Sequence, residues 1–145
     1  MLTMRIEAFL CESPMFAVKR AARRFDAMAA EAFAADGLGF MEALVLAATF
    51  FEAPRPVKPS GLAETFATTR GNVSHAISSL ESKGLVQRAI DPADARGYLL
   101  TLKPAGRRCA LRAISAFEKM QRKFEQAAGK GALAQALGVI RSLER

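Results

Sequence analysis

The stretch TTRGNVSHAISSLESKGL, Thr68 to Leu85, gathers hydrogen-bonding chemistry on one side of a predicted helix. Gly71, Ser74, His75, Ser78 and Ser82 fall on that side, all small or polar and none acidic. Val73, Ala76, Ile77 and Leu80 recur at the three-and-four spacing of a buried stripe and take the opposite side. Surface helices are ordinarily dressed in Glu and Lys, which favour the helix and keep it soluble. Hydroxyls and an imidazole offer donors and acceptors at short reach instead. That is the chemistry of a face made to approach another polar surface.

Other chemistries lack their residues. His75 is the single histidine, and Cys11 and Cys109 are the two cysteines, so neither a zinc spacing nor a disulfide framework is present. No Gly-x-Ser-x-Gly elbow and no phosphate-cradling glycine loop appears. The sequence therefore predicts no catalytic residues, metal or cofactor. The longest apolar run, Phe40 to Phe51, is broken by Glu42 and is too short to span a bilayer. Arg5, Glu7 and Glu12 interrupt any secretory core near the N-terminus. A cytoplasmic protein with no membrane partner is expected.

Charge narrows the partner. The chain of 145 residues carries a net +7. Ten basic and four acidic residues lie between Arg55 and Arg112, a net of +6 that leaves +1 for everything else. A middle segment that basic points to a polyanion.

These residues need a scaffold. Six Met, ten Phe and abundant Ala favour helix–helix packing. Ser13-Pro14 is a helix start, and PMFAVKRAARRFDAMAAEAFA continues it to Asp36-Gly37. A second helix, Gly39 to Phe51, is apolar nearly all round and should be buried. Pro54, Pro56 and Pro59 exclude a helix next and allow at best a short edge strand. Ser60 reads as the N-cap of a short helix, and Thr69 as the N-cap of the next, which Gly84 closes. Two such helices across a brief turn make a helix-turn-helix. LVQRAI and YLLTL then read as a hairpin joined by a long tip, DPADARG. The fold class is thus mainly α with a small β-hairpin wing: a winged helix-turn-helix core with helices on both flanks. A core of about sixty residues cannot cover three flanking apolar stripes, so a homodimer is expected. The predicted division is 1–37 for an N-terminal dimer helix and 38–108 for the winged helix-turn-helix. Within the latter, the recognition helix spans about 70–83 and the wing about 85–102. Residues 109–145 form the C-terminal dimerisation helices.

From Ser60 to Arg108 the sequence resembles the MarR family of bacterial transcription regulators. SGLAETFATTRGNVSHAISSLESKGLVQRAIDPADARGYLLTLKPAGRR follows the family pattern of capping Ser, Leu-Ala, turn, Ser/Thr-Arg, Val-Ser and Leu-Glu-x-Lys-Gly-Leu-Val. Asp91-Pro92 and Asp94-x-Arg96 match its wing, and Leu102, Gly106 and Arg107 its closing motif. Lys103 stands where the family usually has Thr, Gly71 lies inside the recognition helix at a cost of roughly 1 kcal/mol against Ala, and the Pro-rich loop replaces the usual short strand entry.

The resemblance implies a homodimeric repressor on pseudo-palindromic double-stranded DNA, with no enzymatic activity. A helix entering a groove about 12 Å wide cannot carry Glu, whereas short hydroxyls can bond phosphates or base edges. Thr69, Arg70, Asn72, Ser74, His75 and Ser78 are the implied groove contacts, with Arg70 and His75 on bases. Arg96 would enter the minor groove, oriented by Asp94, and Lys58 and Ser60 would bond phosphate. Arg88, Arg107 and Arg108 are either outer phosphate contacts or solvated. Relatives bind small aromatic or phenolic effectors between the dimer helices and the DNA-binding lobe. Phe16, Arg20, Arg23, Arg24, Phe40 and Phe51 are the candidates for such a site, against a plain core with solvated arginines. Some relatives sense oxidants through an N-terminal cysteine. Here Met15-Phe16-Ala17-Val18 lacks that cysteine, Cys11 lies one turn earlier beside Glu12, and Cys109 reads as core. The rival to a specific regulator is a winged helix that binds DNA non-specifically or binds a protein.

Overall fold

The computed structural model describes residues 5–145. A six-residue helix, α1 (Ile6–Cys11), opens the described chain. It is an addition to the sequence reading, too short for periodicity to reveal, and buries none of its residues. Helix α2 (Pro14–Phe33) begins as its residues require: the Ser13 hydroxyl accepts from the Phe16 amide at 3.2 Å, and Pro14 takes the first position, where a missing N–H costs nothing. One 3-10 turn, Ala34–Asp36, leads to Gly37 at φ 63°.

Helix α3 (Phe40–Glu52) is the centre of the molecule and packs against both later long helices. Ala43, Val45, Leu46, Ala47 and Thr49 are buried, and the Thr49 hydroxyl is satisfied by the Val45 carbonyl at 2.7 Å. Its ends emerge, so burial holds for the middle of the helix only: Phe40 is 48% and Phe51 69% exposed. The Pro-rich segment that follows still reaches the sheet. Val57, flanked but not replaced by proline, exchanges both backbone bonds with Leu100, at 2.9 and 2.8 Å.

Helices α4 (Ser60–Thr65) and α5 (Arg70–Ser82) form the helix-turn-helix. The expected Ser60 cap needs correction. Pro59 holds the N-cap position with helical angles, so Ser60 is already the first helical residue and its hydroxyl makes no capping bond. Proline's fixed φ starts the turn one residue early. Thr69 does cap α5, accepting from the Asn72 amide at 3.1 Å.

Strands β1 (Val86–Asp91) and β2 (Asp94–Leu102) pair antiparallel, from Val86 opposite Leu102 to Ile90 opposite Tyr98. The tip is tighter than a loop over all of DPADARG. Asp91 pairs directly with Asp94, and the register irregularity beside Ile90 absorbs residues 95–97. Helix α6 (Pro104–Ala128) returns across α3, and α7 (Lys130–Ser142) follows Gly129, whose φ is 81°. Edge-to-face rings join the layers: Phe33 and Phe117 at 5.1 Å, Phe40 and Phe117 at 5.9 Å, and Phe25 and Phe124 at 5.1 Å. Among the described residues no single helix is long and apolar enough to cross a membrane.

Two fixings hold this arrangement. Arg112 of α6 donates to Asp36 through Nε, at 3.0 and 3.2 Å, and through Nη2 at 2.8 Å. These bonds hold the Asp36 carboxyl below its ordinary range. Because the folded pKa is the lower one, the pair's contribution is present above the ordinary carboxylate range and is lost on acidification through the folded value.

The second is at Leu85. Gly84, at φ 73°, ends α5, and the Gly84 and Leu85 amides return to the Glu81 and Leu80 carbonyls, both at 3.0 Å. The Leu85 carbonyl in turn accepts from the Lys103 amide at 3.0 Å, and a Cβ on Gly106 would overlap that same carbonyl. Gly106→Ala must push the start of α6 off the wing, and it is expected to destabilise the fold by about 3 kcal/mol. Urea denaturation at fixed protein concentration measures this, and an unchanged midpoint would contradict the close approach.

Candidate nucleic-acid interface

Helix α5 divides as its sequence dictates. Val73, Ala76, Ile77 and Leu80 are buried against the core. Arg70, Gly71, Asn72, Ser74, His75 and Ser78 are all exposed. Four-residue steps put Arg70, Ser74 and Ser78 on one line, and Gly71 and His75 on the adjacent one. Gly71 is not demanded by packing, since a Cβ there would meet only the Thr69 hydroxyl at an ordinary 3.8 Å. It leaves bare backbone in the outer face.

Two of the polar side chains already have partners. Asn72 Nδ2 donates to the Thr68 hydroxyl at 2.9 Å, which folds the amide over the helix start and leaves its carbonyl oxygen available. The Ser78 hydroxyl accepts from Arg88 Nη2 at 2.7 Å and keeps its own proton to donate. Arg88 comes from β1, lies 4.6 Å from the centroid of the Tyr98 ring on β2, and has Nε 3.5 Å from Glu81. One guanidinium therefore ties the wing to the outer edge of α5. Sequence reading leaves Arg88 as an outer contact or a solvated charge. The signal that could have placed it is positional: Arg88 faces Leu100 across the hairpin, two residues from Tyr98.

The other end of α5 is anchored from α3. Glu42 accepts from the Gly39 amide and the Ser79 hydroxyl, each at 3.2 Å, and pairs with Lys83 at 2.7 Å. Lys83 also donates to the Gly37 carbonyl at 2.7 Å. The charge that breaks the apolar run of α3 thus positions the polar helix.

At the wing, Asp91 Oδ1 accepts from the Ala93 amide at 2.9 Å and Asp94 Oδ1 from the Arg96 amide at 3.0 Å. Asp94 orients Arg96 through its backbone, and the Arg96 side chain makes no hydrogen bond or ion pair among the described residues. Lys58 lies 3.7 Å from the buried Asp91, which brings the start of the helix-turn-helix against the wing tip. The exposed Ser60 hydroxyl opens α4 beside it.

The six effector candidates lie on two helices, α2 and α3. Phe16 is half-buried and Arg20, Arg23 and Arg24 are exposed on α2. Phe40 and Phe51 stand at opposite ends of α3, roughly 16 Å apart along its axis. A cleft of about 580 Å³ between α2 and α6 is lined instead by Met28, Phe33, Asp36, Arg112, Lys119 and Met120, among others. Cys11 is exposed at the end of α1, and Cys109 is in the core with Arg112 Nη2 at 3.2 Å.

The MarR family model matches residues 36–97. Solved structures superpose over nearly the whole chain. A probable transcriptional regulator from Pseudomonas aeruginosa gives a TM-score of 0.78 at 23% identity, over 92% of this chain and 98% of that one. The MepR–DNA complex of S. aureus gives 0.83 at 15% identity, over 90% and 96%. CouR from Rhodococcus jostii RHA1, bound to p-coumaroyl-CoA, gives 0.78 at 21% identity, over 92% and 93%. At these identities the likeness establishes the winged-helix fold with its flanking helices. No curated protein matches in sequence.

Wing and α5 should be energetically coupled through Arg88. Arg88→Met is expected to cost roughly 1–2 kcal/mol, and a double-mutant cycle with Ser78→Ala to return a coupling of at least about 0.5 kcal/mol. Strictly additive urea midpoints would mean that the contact carries no energy.

Proposed function

We propose that this chain, which belongs to the MarR family through its winged-helix segment, is a cytoplasmic, homodimeric repressor that reads a pseudo-palindromic operator in double-stranded DNA. The observation that carries the reading is the outer face of α5: six exposed residues at groove-reading positions, none acidic, in the segment that holds nearly all the net positive charge. Arg70 and His75 contact base edges, and Thr69, Asn72, Ser74 and Ser78 bond phosphates or bases beside them. Arg96, free at the wing tip, enters the minor groove. Lys58 and Ser60 hold phosphate. MepR, of the same fold, is known in complex with DNA.

The second subunit covers what this one leaves bare. Helices α1 and α7 bury no residue of their own. Ile6, Phe9, Met15 and Val18 near one terminus, and Leu137, Val139, Ile140 and Leu143 near the other, are all more than a third exposed. Residues 1–37 and 109–145 are accordingly the dimer-forming parts, and 38–108 the DNA-binding part; residues 1–4 lie outside the described chain. Two α5 helices related by the dimer axis would meet successive major-groove faces. A small aromatic or phenolic effector, held by Phe16, Arg20, Arg23, Arg24, Phe40 and Phe51 between the dimer helices and the winged helix, would shift the half-site spacing and weaken binding. CouR, bound to p-coumaroyl-CoA, shows the fold accepting an aromatic acyl ligand.

Selection from a random duplex pool, followed by competition with the selected sequence, tests the role of α5. Arg70→Ala and His75→Ala are each expected to lose about 1–3 kcal/mol on the selected site and little on scrambled duplex. Equal losses on both duplexes would favour an architectural DNA binder instead.

A further inference from the structure

The inner face of the wing ends on a bare apolar side chain. Ile90 is 80% exposed, more than any other large hydrophobic residue among those described. A single exposed isoleucine is ordinary on a protein surface. Its position is what gives this one meaning. Strand alternation puts Val86, Arg88 and Ile90 on one face of β1, because the register irregularity begins only after Ile90. Val86 is fully buried, Arg88 lies against α5, and Ile90 has run past the core.

That face lies between the polar helix and the wing tip. The chain leaves α5 at Leu85 and turns back along it, since Arg88 Nη2 reaches the Ser78 hydroxyl at 2.7 Å. Two residues on, Ile90 stands about 6.6 Å further along the strand, a little more than the roughly 5.4 Å of one helical turn. This brings it abreast of Ser74, on the exposed line that continues to Arg70. Across the hairpin Ile90 faces Tyr98, and Arg96 lies two residues before Tyr98 at the tip. Ala89, Ala93 and Ala95 are exposed and short, so Ile90 and Arg96 are the longest side chains that this end of the wing presents.

With α5 in the major groove and Arg96 in the adjacent minor groove, one sugar–phosphate strand must cross the wing between them. Its phosphates call for charge, but its deoxyribose edges are C–H surface. We propose that Ile90 is an apolar positioning contact for DNA, seated against a deoxyribose of that strand and fixing the depth at which Arg96 enters the minor groove. The inference rests on the DNA-binding reading. A β-branched side chain suits the role, because its χ1 is already restricted and little rotamer freedom is lost on contact. Such a contact removes apolar surface from water and releases no counterion, so it adds affinity that salt does not screen.

Hydroxyl-radical footprinting on the duplex selected from the random pool reads the accessibility of deoxyribose C–H bonds, and anisotropy titrations across a salt series read the energetics. Ile90→Ala should bind about three- to tenfold more weakly with an unchanged salt slope. It should also lose protection at the sugars flanking the minor-groove site. Ile90→Val should recover most of the affinity. The urea midpoint of both variants should stay that of the unaltered chain, because the side chain lies outside the core. Unchanged affinity and footprint in Ile90→Ala overturn the proposal and leave the DNA-binding reading standing. A shallower salt slope also overturns it, by assigning the loss to phosphate contacts, as does weakened binding matched by a lowered urea midpoint. A chain that binds no duplex removes both readings.

Discussion

Leu85 is the joint on which the rest of the molecule depends. Its amide closes α5, its side chain is buried in the core, and its carbonyl receives both the Lys103 amide and the close approach of Gly106. The polar helix, the wing and the long return helix are thereby fixed to one residue. Any rotation of α6 must pass through this contact, because the space for a side chain at Gly106 is already occupied. The geometry gives a physical path from the flanking helices to the surface that carries the polar face.

That surface is held from three directions, with little adjustable about it. The apolar stripe of α5 is locked into the core, Glu42 and Lys83 secure its C-terminal end, and Arg88 ties its outer edge to the wing. Charges that read as ornament or as interruption in the sequence turn out to be positioning groups. What stays unengaged is informative: the side chains of Arg70, Ser74 and His75 on the helix and of Arg96 at the wing make no hydrogen bond among the described residues. Free side chains on a rigid frame are what reading base edges asks for.

Much of this was legible in the chain, because local chemistry and burial agree there. The capping Ser13 and Thr69, the terminating Gly84 and the period of Val73, Ile77 and Leu80 each point to the same element that forms. Where the reading failed, the cause was local or tertiary. Helix α1 is shorter than two turns, Pro59 moved the helix start past Ser60, and the Asp91–Asp94 pairing shortened the wing tip. Arg88 and Glu42 depend on partners ten and 37 residues away, and no single-sequence pattern encodes such distances.

The central claim is that this face distinguishes one DNA sequence from another. Fluorescence anisotropy with the DNA upstream of the chain's own gene, against a scrambled duplex of equal length across a salt series, tests it most directly. A preference of roughly a thousandfold for the upstream duplex, persisting as salt rises, is the predicted result. Equal binding to both, with a steep salt slope set by phosphate contacts alone, would contradict it.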